Sequence, residues 1–209
     1  MINLVRKELF VLSYYHLFAV LYVLVFGVFF ETAYSTVLLA TLPAMMLMTF
    51  ASNLELRSKS ELLVGSLPVR REQIVLAKYV CLFYYVALGL ALGAAANLIN
   101  RYVLARETDW SLAHVSIGLT IDFLFFSLYY PFYYWFGQKG AQFVVYVVLF
   151  LATVTIVGFS DVMRDHFDGG GAIDGGTALT VLPPIGSLAL LLVSYRLSVA
   201  IFRKKDLNA

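Results

Sequence analysis

Any chemistry in this chain must come from a small set of side chains. Its three histidines, His16, His114 and His166, lie in three different segments, and the one cysteine, Cys81, has no partner for an intramolecular disulfide. No set of Cys and His has the spacing of a structural zinc site. There is no Gly-x-x-x-x-Gly-Lys-Ser/Thr loop for nucleotide phosphates, no His-Glu-x-x-His pair and no Gly-x-Ser-x-Gly elbow. The chain is therefore expected to be no enzyme and to carry neither catalytic residues nor a metal or cofactor of its own. One carboxylate stands apart, because Asp122 is the only acid deep inside a long apolar stretch.

The elements that must position these residues follow from composition. Of the 209 residues 61% are hydrophobic and only 13% charged, whereas an ordinary soluble domain has roughly a quarter of its residues charged. A mean hydropathy of +0.84 agrees with a chain that leaves water, and a net charge of +2 gives no case for nucleic acid. Between residues 9 and 54 only His16 and Glu31 are ionisable. As one helix that run would extend about 69 Å at 1.5 Å per residue, against a bilayer core of about 30 Å. It must fold as a hairpin of two spans, near 15–31 and 34–53, with Pro43 kinking the second. Further spans are expected near 79–99, 112–136, 143–160 and 178–202, with a short link at 137–142 and an extracellular loop at 161–177. Pro183 and Pro184 should break the outer end of the last span or delay its start to Ile185. The fold class is thus an all-α integral membrane protein with six transmembrane helices, a single transmembrane domain over residues 1–209.

Within these spans some residues have two readings. A carboxylate at Asp122 costs about 2.5 to 3.5 kcal/mol on insertion scales and must face protein or a water-filled cavity. It is either a contact in a translocation path or a structural hydrogen-bond partner of Thr, Ser, Asn or Tyr on a neighbouring span. Ten of the 14 residues from Phe123 to Phe136 are aromatic. Part of that run forms an interfacial belt, and the deeper rings, among them Phe126, Tyr129 and Tyr130, either pack or line the path beside Asp122. Gly89 and Gly93 form a Gly-x-x-x-Gly pair suited to close helix packing within the subunit.

Six spans put both termini on one side. With the N-terminus inside, only Arg101, Arg106 and Arg164 of the 15 basic residues lie outside, leaving 12 on the cytoplasmic face. Five of those 12 fall in the loop 54–78, namely Arg57, Lys59, Arg70, Arg71 and Lys78. Within it Glu61-Leu62-Leu63-Val64-Gly65-Ser66-Leu67 can form a short helix with Leu63 and Leu67 at i and i+4. Pro68 stops that helix and suits the first turn of the next, which runs through Ile74 and Lys78 into the third span. Such an element either docks into a groove of a partner protein or is an interfacial helix that only orients the spans. Residues 1–13, with Ile2, Val5, Leu9 and Leu12 around Arg6, Lys7 and Glu8, suit a helix in the headgroup plane or a cytoplasmic extension of the first span.

The string from Glu61 through Pro68, Val69, Arg70 and Arg71 to Ile74-Val75-Leu76-Ala77-Lys78-Tyr79 closely resembles a segment of small ABC-2 type ATP-binding-cassette permeases. The six-span layout with its basic first cytoplasmic loop is similar too, and the subgroup most like it comprises bacterial peptide-exporter permeases such as that of the phenol-soluble modulin exporter. Arg70 departs from the family, which often has a small polar residue there. The resemblance implies that residues 1–13 are an elbow helix and that the loop holds a coupling helix. Glu61, Leu62, Leu63, Ser66, Leu67, Pro68, Arg70 and Arg71 would then meet a separate cytoplasmic ABC ATPase subunit, which binds ATP and Mg. It also implies two ATPase copies, a second permease, identical or related, and a place in the bacterial cell membrane. The function it implies is a permease of an ATP-driven exporter of amphipathic peptides or other hydrophobic compounds. The alternative is a non-transporting membrane scaffold or sensor subunit that docks a cytoplasmic partner.

Overall fold

In a bilayer no water is available to the backbone, so each N–H and C=O must be satisfied within its own segment. The apolar runs accordingly fold as helices. A computed structural model of the chain describes residues 2–29, 36–57, 70–106, 112–168 and 176–204, and among the described residues no strand occurs. The elements are α1 (Ile2–Val11), α2 (Ser13–Leu24, continuing as a π-helical turn Val25–Phe29), α3 (Thr36–Arg57), α4 (Arg71–Tyr102), α5 (Leu112–Asp168) and α6 (Gly176–Lys204).

Three of the described helices are long and apolar enough to cross a membrane, Arg71–Tyr102, Val115–Gly137 and Leu182–Lys204. A fourth results if the bent pair Leu4–Phe10 and Ser13–Gly27 is taken as one span. That pair bends by 54° about Leu12, which is fully buried. α3, at 22 residues, extends about 33 Å.

Helix α3 lies between α4 and α5, and α5 packs in turn against α6. The approach of α3 to α4 is set by glycine. A Cβ on Gly89 would collide with the carbonyl oxygen of Ala40, and one on Gly93 would lie 3.0 Å from the Ala40 Cβ. The Gly-x-x-x-Gly pair therefore packs inside the subunit, as dispersion-driven association in lipid favours. Around this seam Leu47 and Met48 of α3, Leu82 and Tyr85 of α4, and Phe126 and Tyr133 of α5 form one buried core.

Several expected boundaries move. The sequence 54–57 is helical and belongs to α3, whereas α4, beginning at Arg71, runs through Ile74 and Lys78 into the third span as expected, so both flanks of the 54–78 loop belong to helices. Neither flank contains a Gly or Pro to stop the helix. The expected link at 137–142 shrinks to Gly137, whose φ of 66° and ψ of −146° interrupt α5, a conformation open to glycine because it has no Cβ. The same helix runs to Asp168, eight residues into the expected outer loop, and breakers appear only at the glycine run from 169 to 171. Pro183 and Pro184 do not break α6, which passes through both. Spanning helices tolerate proline because nearby groups satisfy the freed backbone. Pro43 sits inside α3, which continues to Arg57.

Candidate functional site: a charged cluster at the base of the basic loop

The loop residues Glu61, Leu62, Leu63, Ser66, Leu67 and Pro68 lie outside the described residues, but both helices that carry the loop are described. α3 delivers Glu55 two residues before its end, and α4 delivers Lys78 in its second turn. Both side chains point inward, with residue exposures of 6% for Glu55 and 5% for Lys78. They form a direct ion pair and hydrogen bond between Lys78 Nζ and Glu55 Oε2.

Two further charges close the cluster from α1. Glu8 Oε1 lies 3.9 Å from Lys78 Nζ, and Lys7 Nζ lies 3.9 Å from Glu55 Oε1 and 3.9 Å from Glu8. The result is two cations and two carboxylates from three helices, neutral as a group. α5 adds the Tyr133 hydroxyl, which donates to Glu55 Oε2 at 3.2 Å, while the Tyr133 ring lies 5.4 Å from Lys78 Nζ. Tyr130 donates to the backbone oxygen of Lys78 at 3.2 Å. Desolvating these charges is offset only because each faces an opposite charge and further hydrogen bonds.

A second tie sits one to two turns closer to the loop. Arg71 Nη1 donates to the carbonyl oxygens of Phe202 at 3.2 Å and Arg203 at 2.9 Å. Those carbonyls belong to the last turn of α6, where acceptors lack intrahelical donors and a cation is favoured. Glu72, in the first turn of α4, pairs with Arg203. Farther up, the Tyr79 hydroxyl bonds Ser194 Oγ at 2.8 Å and Ser198 Oγ at 3.0 Å, joining α4 to α6 within the core. Arg70, the residue before α4, is exposed.

The residues expected beside a translocation path are all inside the bundle. Asp122 is 1% exposed, and Phe126, Tyr129 and Tyr130 are buried with it. The Asp122 Oδ1 atom has no hydrogen-bond partner among the described residues. One turn earlier, Gly118 faces Thr41 of α3, so this part of α5 lies against α3. The aromatic run divides by face. Tyr129 stacks on Tyr133 with ring centroids 6.2 Å apart, and Tyr79 of α4 lies 4.7 Å from Tyr130. Trp135 and Phe136, at the end of the run, are exposed and suit an interfacial belt. Among the described residues no group of three or more His, Cys, Asp or Glu side chains converges as a metal site.

Residues 3–203 match the family model described as ABC-2 family transporter protein. The chain belongs to the ABC-2 transporter family. No curated protein and no solved structure matches it. As an ABC-2 type permease, it is a multi-pass membrane component of a transporter, without a catalytic motif of its own.

In this permease the buried cluster is what sequence reasoning missed, having counted Glu55 and Lys78 within the cytoplasmic loop 54–78 without a partner for either. The signal was helical spacing. Lys78 falls four residues after Ile74 and four before Leu82, both buried, and Glu55 follows Ser52 and Met48 on the buried stripe of α3.

Proposed function

We propose that the chain is the membrane subunit of an ATP-driven exporter that moves amphipathic peptides or other hydrophobic compounds out of the cell. Energy comes from a separate cytoplasmic ATPase subunit, which binds ATP and Mg and docks on the loop through Leu63, Leu67 and their neighbours. The working unit is two permeases, identical or related, with two ATPases. Each permease has six spans, with both termini cytoplasmic in the bacterial cell membrane and residues 1–13 as the elbow helix. The peptide class is the cargo that similarity to peptide-exporter permeases points to.

The observation that carries this reading is that both ends of the loop are tied to each other and to α1 by a buried charged cluster. A loop that only crossed the cytoplasmic surface has no need of such an anchorage, whereas a loop that receives force does. The test is co-purification of the tagged permease with the ATPase expressed beside it. Leu63→Asp with Leu67→Asp should abolish that association and the permease-dependent part of ATP turnover. Unchanged association and turnover in this variant would sink the docking role, and association without any permease-dependent turnover would favour a scaffold.

A further inference from the structure

We propose that Lys7, Glu8, Glu55 and Lys78 form a mechanical joint through which displacement of the basic loop moves the amphipathic helix α1. The inference rests on the docking reading above and adds the route by which movement leaves the loop. These four are positioning residues, since they act on α1 and not on cargo or nucleotide.

Three observations carry it. First, the joint is placed where both loop ends meet, because Glu55 belongs to the helix entering the loop and Lys78 to the helix leaving it. Second, α1 needs such a connection of its own. It is set off from α2 by the 54° bend, so it runs in its own direction against α3 and α4. Its polar grip on α3 and α4 is through Lys7 and Glu8, with Leu4, Val5 and Leu9 packed on the core.

Third, magnitudes separate this tie from the exposed Glu72–Arg203 pair between α4 and α6. The Glu72–Arg203 pair is solvent-exposed, with side-chain exposures of 44% and 60%, and exposed pairs contribute about 0 to 1 kcal/mol. The Lys78–Glu55 pair is at 6% and 5%, and the Lys78–Glu8 pair, which reaches α1, is at 6% and 13%. Pulling such a buried pair apart leaves a desolvated charge without its partner, so the cluster travels as a unit. An apolar cluster of equal volume would hold the fold at least as well. What charges add is a fixed register of α1 against the loop flanks, because each cation must meet its own carboxylate.

The experiment uses the full chain with Cys81→Ala, co-expressed with its ATPase subunit and reconstituted in lipid. Spin labels are placed on Phe10→Cys in α1 and Leu112→Cys at the start of α5, both exposed. A second pair joins Arg70→Cys to Leu112→Cys. Distances are measured without nucleotide and after trapping with ATP and vanadate. In the parent both distances should shift on trapping. In Glu55→Leu with Lys78→Met, which leaves Lys7 and Glu8 to pair with each other, the ATPase should still co-purify and the Arg70 distance should still shift. The Phe10 distance should lose its shift.

Reversing only the central pair, Glu55→Lys with Lys78→Glu, sets like charges against Lys7 and Glu8 and should also abolish the α1 shift. Adding Lys7→Glu and Glu8→Lys should restore it. An undiminished α1 shift in the apolar variant overturns the joint while leaving the docking reading intact, and so does failure of the fourfold reversal to restore it. Failure of the parent to recover the ATPase overturns the docking reading and this inference with it.

Discussion

A lysine and a glutamate, each less than a tenth exposed and meeting in the core of a membrane protein, must be judged by what their loss would leave behind. Lys78→Met strands Glu55 beside one remaining cation, and removal of one partner from a buried pair costs about 3 to 5 kcal/mol. That single variant should melt well below the parent in detergent, followed by fluorescence-detected size exclusion after heating. The double variant Lys78→Met with Glu55→Leu should recover most of the loss, since a buried pair replaced by apolar groups is often neutral. Equal melting of the single and double variants would mean the pair is not what the single variant breaks. Asp122 makes the opposite case. Its Oδ1 is buried without a partner among the described residues, so Asp122→Asn removes a potential charge and breaks no described hydrogen bond there. It should melt at or above the parent, and a clear drop would reveal a partner for the carboxylate.

At the scale of elements, two glycines carry different burdens. Gly89 lets α4 approach the backbone of α3 at Ala40, where a side chain has no space. Gly89→Leu must push the helices apart along the seam that also brings Glu55 to Lys78. It should reduce the yield of monodisperse protein more than Ala91→Leu, two residues away on an exposed face. Gly137 is different, since a Cβ there would meet nothing within 4 Å, yet its φ is +66°. Gly137→Ala therefore costs only conformational strain, about 1 to 3 kcal/mol at a positive φ with ψ of −146°, a combination essentially confined to glycine. A modest fall in melting temperature is the expected result, and a collapse of expression would show that more than the turn depends on it.

For the whole molecule the decisive quantity is which face meets the cytoplasm. The uneven distribution of Lys and Arg predicts that Arg203 and Lys204 lie inside and Arg101 and Arg106 outside. In a Cys81→Ala chain, Val103→Cys should react with a membrane-impermeant maleimide in intact cells, and Lys204→Cys only after lysis; both sites are exposed. The reverse pattern would turn the loop and its joint away from any cytoplasmic ATPase. Much of the apolar surface remains uncovered by this single chain, for instance Leu190, Leu192, Val193 and Leu197 on α6. In lipid such a surface has no hydrophobic reason to be buried.

Much of this protein was legible from residues 1–209 alone. The all-helical class follows from apolar runs that can only be satisfied internally, and family membership was readable in the string from Glu61 to Tyr79. The break near Gly137 and the subunit-internal use of Gly89 and Gly93 were also legible, because glycine acts through its own backbone. Burial of charge was not. Glu55 and Lys78 flank a basic loop, and one-dimensional charge patterning assigns such residues to solvent. Only the packing of α1, α3, α4 and α5 against one another decides that four charges 7, 8, 55 and 78 meet in one neutral cluster. An ion pair depends on separation in space, and a sequence separation of 23 leaves no mark of that in the sequence.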